Sequence, residues 1–127
     1  MKKVILDTNF LLLPGLFKVD IFEEIRKVMN DKYELYIIEG TIAELNKIID
    51  RKNKSRDKLN AKIGLELIKQ KKVKKIKSSE RNVDEGILDK ADENTFVATS
   101  DKVLKQRLKK NNIKLIALRK KQYLVLE

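Results

Sequence analysis

The stretch MKKVILDTNF, residues 1–10, decides how the rest of the chain is read. Val4-Ile5-Leu6 is a short apolar run that reads as a buried strand. It ends abruptly in a carboxylate, Asp7, followed by Thr8 and Asn9. An acid at the tip of a buried strand can cap the next helix. It can also belong to a site, and which reading holds depends on whether other acids occupy similar places.

Working outward, Phe10 to Leu13 continue apolar until Pro14-Gly15, which are expected to break the run. Asp20 to Met29 carry a helical pattern with Ile21, Phe22, Ile25 and Val28 on one side. Leu35 to Ile38 is a second strand, and Thr41 to Ile49 a helix with Ile42, Leu45, Ile48 and Ile49 inward. Residues 55–72 form a long basic helix in which Leu59, Ile63 and Leu67 make one stripe, with Ala61 and Leu65 offering a second alternation. Strands follow at Val73–Ile76, Phe96–Ala98 and Ile113–Leu118, helices at Val83–Ala91 and Lys102–Lys109, and Tyr123–Leu126 adds a last extended segment. Strands alternating with helices predict a three-layer α/β fold with a mostly parallel sheet, whose ligands belong at the carboxyl ends of the strands. With no linker, repeat or low-complexity spacer, residues 1–127 read as one domain, long enough to bury a core without staples.

Composition narrows the chemistry. The chain has no cysteine and no histidine, which removes disulfides, thiolate zinc sites, imidazole ligands and Cys or His nucleophiles. Any metal must be a hard ion held by oxygen, typically Mg²⁺ or Mn²⁺. The apolar stretches near the start are short and broken by Asp7 and Pro14, so the chain reads as cytoplasmic with no membrane partner. The net charge of +11 is unevenly spread. Residues 51–77 hold twelve basic residues against two acids, and residues 102–121 hold nine against none, while the remainder is acidic. Two basic surfaces beside an acidic remainder suit a polyphosphate partner whose binding weakens with salt. The bland reading is that lysine-rich faces keep a small protein soluble.

The acids recur at junctions. Asp101 follows the tip of the Phe96–Ala98 strand as Asp7 follows the first strand, and two such acids on neighbouring strands suggest a metal site. Glu44 and Asp84 lie in first turns of helices. Thr41-Ile42-Ala43-Glu44 also fits a capping box, so Glu44 reads equally as a cap or a ligand. In Asn82-Val83-Asp84-Glu85 the box position belongs to Glu85, which leaves Asp84 without a structural role. Asp101 can likewise cap the Lys102 helix. Clustered carboxylates repel unless a cation neutralises them. Carboxylates holding Mg²⁺ or Mn²⁺ beside basic surfaces describe phosphodiester hydrolysis. There is no GxxxxGK[ST] loop, Gly15, Gly40, Gly64 and Gly86 form no dinucleotide fingerprint, and Asp7 lacks the adjacent acid of a phospho-receiver.

Asp7 in VILDTN, Glu44 in TIAEL, Asp84 in VDEGILDKA and Asp101 in VATSDKVL resemble, in order and spacing, the acidic signature of PIN-domain ribonucleases, and the likeness covers essentially the whole chain. LDTNFLLLP, VDIFEEI, the lysine-rich middle helix, VATSDKVLKQRLKK and KQYLVLE further resemble archaeal relatives of the PIN endonuclease of small-subunit ribosomal RNA processing. Where that subfamily usually reads Asp-Asp, this chain reads Asp84-Glu85. The resemblance implies a three-layer α/β/α PIN-like domain with a central, mostly parallel twisted sheet. It makes Asp7, Glu44, Asp84 and Asp101 the ligands of one or two Mg²⁺ or Mn²⁺ ions, or their immediate support. Thr8, Asn9, Glu85 and Ser100 become secondary polar contacts.

The function so implied is a metal-dependent endoribonuclease acting on single-stranded RNA, with a ribosomal RNA precursor as target and a homodimer as the assembly to test. Lys52, Lys54, Arg56, Lys58, Lys102, Lys105 and Arg107 are the expected grip on the RNA backbone. The family also contains toxin ribonucleases paired with an antitoxin and members without activity. A toxin nuclease and a non-cleaving RNA-binding or assembly module are therefore the rival readings.

Overall fold

The computed structural model describes residues 1–51 and 56–127. Among the described residues six strands form one sheet in the order β3-β2-β1-β4-β5-β6. They are β1 (Lys2–Leu6), β2 (Tyr33–Ile38), β3 (Lys74–Ile76), β4 (Thr95–Ala98), β5 (Lys114–Arg119) and β6 (Tyr123–Leu126). All neighbours pair in parallel except β5 and β6. The helices are α1 (Leu13–Phe17), α2 (Ile21–Val28), α3 (Gly40–Ile49), α4 (Arg56–Gln70), α5 (Val83–Lys90) and α6 (Lys102–Lys110).

Strand alternation builds the three layers. On β1, Val4 and Leu6 enter a core shared with Phe10, Leu11, Ile25, Leu45 and Ile68, under α1 to α4. Ile5, between them, faces the opposite side and packs with Val97, Ile87, Leu104 and Leu115, under α5 and α6. A strand buried on both faces has no room for a polar alternation, which is why Val4, Ile5 and Leu6 are all apolar and all fully buried.

Pro14 and Gly15 do not break the run as expected. A 3₁₀ turn over Asn9–Leu12 passes directly into α1, with Pro14 in its first turn, where the missing N–H costs nothing. The helix ends instead at Lys18, in the left-handed region at φ 57°. Gly15 is required by packing: a Cβ there would lie 2.4 Å from Asn60 Oδ1 and 2.9 Å from Asn60 Cα on α4.

The same contact corrects the expected stripe of α4. Its buried residues are Asn60, Ala61, Gly64 and Ile68, whereas Leu59 is 61% exposed. Close approach of α4 to α1 and the 3₁₀ turn selects the small residues, and that outweighs the hydrophobicity of Leu59. The expected start of this helix at residue 55 lies outside the described residues. Among those residues no helix is long and apolar enough to cross a membrane.

Candidate metal centre

Register places the first site residue. Leu6 pairs with Ala98 across β1 and β4, and the Asp7 N–H donates to the Ala98 carbonyl at 2.9 Å, so Asp7 and Thr99 emerge side by side at the carboxyl edge of the sheet. Asp7 is 4% exposed. One carboxylate oxygen accepts from the Thr8 N–H at 2.8 Å and the other from the Thr99 hydroxyl at 2.7 Å. Neither bond caps a helix, which settles the capping alternative for this residue. Burial pushes its pKa up from 3.8 to about 6; the bonds from Thr99 and Thr8 oppose that rise, and the charges of Asp84 and Glu44 add to it.

Asp101 takes the capping role offered by the sequence. Its side chain accepts from the N–H groups of Val103 at 2.9 Å and Leu104 at 3.1 Å, capping α6, while its own N–H donates to the Thr99 hydroxyl oxygen at 3.1 Å. Thr99 therefore joins the first and last acids through one oxygen.

Glu44 is not a capping-box residue. α3 starts at Gly40, so Thr41 lies inside the helix, fully buried, with its hydroxyl unpaired among the described residues, and Glu44 accepts a hydrogen bond from the Thr8 hydroxyl instead. Asp84 sits in the first turn of α5, whose cap is Asn82, accepting from the Glu85 N–H at 2.9 Å. Burial, then the charges of Asp101, Glu44 and Glu85, raise its pKa against the pull of Arg107.

All four acids line one cavity of about 350 Å³, together with Thr8, Asn9, Lys47 and Arg51. Among the described residues, however, no three acids stand as a ready-made metal-binding group. The two facts are compatible: Glu44 and Asp101 are held by Thr8 and the α6 N–H groups, and unneutralised carboxylates keep apart. The donor set is oxygen alone, and Asp7 and Asp84 each bear the repulsion of their neighbours. By donor chemistry these residues fit a hard divalent cation.

The family model for the PIN like domain matches residues 4–121. The chain belongs to the PIN-like domain family. Ribonuclease VapC4 of Methanocaldococcus jannaschii is 36% identical over 126 residues, which cover 97% of this chain and 95% of that protein. Among solved structures, the PIN domain endonuclease Utp24 superposes with a TM-score of 0.75 at 24% identity, covering 98% of this chain and 90% of that one. A domain of a functionally unknown protein from Methanocaldococcus jannaschii gives 0.57 at 19% identity over 94% and 92% of the two chains. At these identities the two structures show a shared fold.

The remaining expected contacts of this PIN domain fall into three groups. Asn9 lines the cavity and accepts weakly from the Ser100 N–H at 3.5 Å, while Ser100 itself is exposed outside the lining. Glu85 does not line the cavity and is held by Arg107 at 2.8 Å, which keeps its carboxyl below the usual range. Arg107 is thus engaged, as is Lys105, whose amine lies 3.6 Å from Glu127. Arg56, Lys58 and Lys102 lie at the starts of α4 and α6 without an ion pair among the described residues, and Lys52 and Lys54 fall outside those residues.

Lys47 and Thr99 escaped the sequence reading. Lys47 lies three residues after Glu44 on α3, a spacing that puts it on the same helix face. Arg51, the first of the basic run over residues 51–77 expected to meet RNA, also lines the cavity just past the end of that helix. Thr99, immediately after β4, shows its role only once the β1–β4 register is known.

Proposed function

We propose that this chain is a divalent-metal-dependent endoribonuclease that hydrolyses phosphodiester bonds of single-stranded RNA, acting as a single domain over residues 1–127 in the cytoplasm. The observation that carries it is the sharing of one cavity by four carboxylates, from β1, α3, α5 and the β4–α6 junction, and two cations without an ion pair among the described residues, Lys47 and Arg51. Asp7, Glu44, Asp84 and Asp101 would hold one or two Mg²⁺ or Mn²⁺ ions. A bound cation supplies an activated water and neutralises charge on the phosphate. The chain's own groups prepare the place: Thr99 orients Asp7, Thr8 orients Glu44, and the α6 N–H groups fix Asp101. Lys47 and Arg51 would hold the phosphate, while Arg107 pairs with Glu85.

Two cellular roles suit that activity. Processing of a ribosomal RNA precursor is what the resemblance of the sequence motifs implies. A toxin ribonuclease with an antitoxin partner is supported by the likeness to VapC4. Growth arrest on expression alone, relieved by the product of a neighbouring gene, would favour the second role, and sedimentation would test the homodimer. The activity itself is tested with labelled single-stranded RNA and Mn²⁺, comparing the native chain with Asp7→Asn and Asp84→Asn at matched folding. Cleavage lost in both variants is expected. Binding without cleavage under any divalent metal would overturn it in favour of a binding module.

A further inference from the structure

We propose that a second cavity, adjoining the carboxylates, binds the nucleoside next to the scissile phosphate, so that cutting depends on base identity at that position. The proposal rests on the endoribonuclease reading for the word scissile, but the cavity stands on its own geometry. It measures about 310 Å³ and lies between the start of α3 and the segment leading into α5. Glu44 and Lys47 line both cavities, so a strand whose phosphate meets the acids runs on over Lys47 into this one.

Its wall is apolar at Ile38, Ala43 and Val83 and polar at Ser78, Arg81 and Asn82. The Ser78 oxygen accepts from the Glu80 N–H at 3.1 Å, and the Asn82 side-chain oxygen accepts from the Glu85 N–H at 2.9 Å. The hydroxyl hydrogen of Ser78 and the amide N–H groups of Asn82 remain to donate. Arg81 enters no ion pair among the described residues, so its guanidinium is also free. Glu80, on the same wall, can accept.

The Ser78 and Ile38 part of the wall is closely packed, since a Cβ at Gly86 on α5 would lie 3.0 Å from both Ser78 Oγ and Ile38 Cγ2, while Glu80, Arg81 and Asn82 are exposed. Among the described residues no aromatic side chain lines the cavity. A base there is gripped along its hydrogen-bonding edge, which differs between bases, and not by stacking, which every base tolerates.

The test is an abasic scan. Short labelled RNAs, each lacking one base, are bound to Asp7→Asn protein at fixed salt and followed by anisotropy, with and without Arg81→Ala or Ser78→Ala added, folding being checked by circular dichroism. One position is expected to weaken binding roughly tenfold, the scale of a bidentate base contact. Either added variant should remove that difference. With Mn²⁺ and randomised RNA, the native chain should cut with a bias at one position that Arg81→Ala flattens. A scan with no special position, or one that both variants leave intact, overturns the subsite. Cleavage with a flat scan leaves the nuclease standing without the subsite; a special position without any cleavage retains the subsite and removes the nuclease.

Discussion

Replacing Asp7 by Asn should stabilise the metal-free protein while abolishing metal-dependent cleavage. Asp7 has a folded pKa of about 6 against an ordinary value of 3.8, a difference worth about 3 kcal/mol at pH 7 against the ionised folded state. The sign follows from the direction of the shift. A carboxyl raised on folding contributes nothing adverse below about pH 4, where it is protonated in both states, and its full cost appears above about pH 6. Asn carries no charge, and its oxygen still accepts from the Thr8 N–H. Its amide must donate to Thr99, whose oxygen already accepts from Asp101, so the Thr99 hydroxyl loses its acceptor at a cost of about 1 kcal/mol. The net gain is then about 2 kcal/mol, or about 7 °C in Tm for a chain of this length. Thermal and urea unfolding in EDTA across pH 4 to 8 should show the variant ahead at pH 7.5, the lead shrinking below about pH 6 and reversing slightly near pH 4. Millimolar Mg²⁺ or Mn²⁺ should raise the stability of the native chain and leave the variant nearly unmoved. A variant less stable than the native chain at pH 7.5 in EDTA would refute the account of Asp7 as a buried, repelled carboxylate.

Other perturbations probe different parts. Thr41→Val removes a fully buried hydroxyl that has no partner among the described residues, so stability should rise by about 1 kcal/mol in urea titrations. Gly15→Ala drives a methyl group into Asn60 on α4 and should cost about 1–3 kcal/mol, seen as a lower denaturation midpoint with an unchanged m value. Lys47→Ala and Arg51→Ala should each weaken RNA binding and flatten the slope of log affinity against log salt by about 0.7, the increment for one phosphate of a single strand.

The layers and the acids were legible because both follow from local pattern. Val4-Ile5-Leu6 ends at Asp7 and Phe96-Val97-Ala98 precedes Asp101, and strand ends in a parallel sheet face one edge. What stayed hidden depends on which surfaces meet. The face of α4 was misread because Leu59 outweighs Gly64 in hydrophobicity, while the approach of the Leu11 carbonyl, 2.8 Å from a Cβ at Gly64, selects the smaller residue. The capping box at Thr41 failed for a related reason: α3 begins at Gly40 rather than after Thr41, and Glu44 is claimed by Thr8, 36 residues earlier in the chain. Glu85 and Arg107 found each other across α5 and α6, which no spacing along the chain announces.

The strand order has a consequence for how the protein comes into being. β1 is made first yet lies in the middle of the sheet, with β2 on one side and β4 on the other. Its partner on the β4 side, with Thr99 and Asp101, is supplied only after residue 94. At usual synthesis speeds that is roughly 5–20 s later. Until then Leu6 has no strand on that side and Asp7 has neither the Ala98 carbonyl behind it nor the Thr99 hydroxyl beside it. A nascent chain lacking β4 therefore cannot assemble the carboxylate group, so a nuclease on this plan stays latent beside the RNA-rich machinery that makes it.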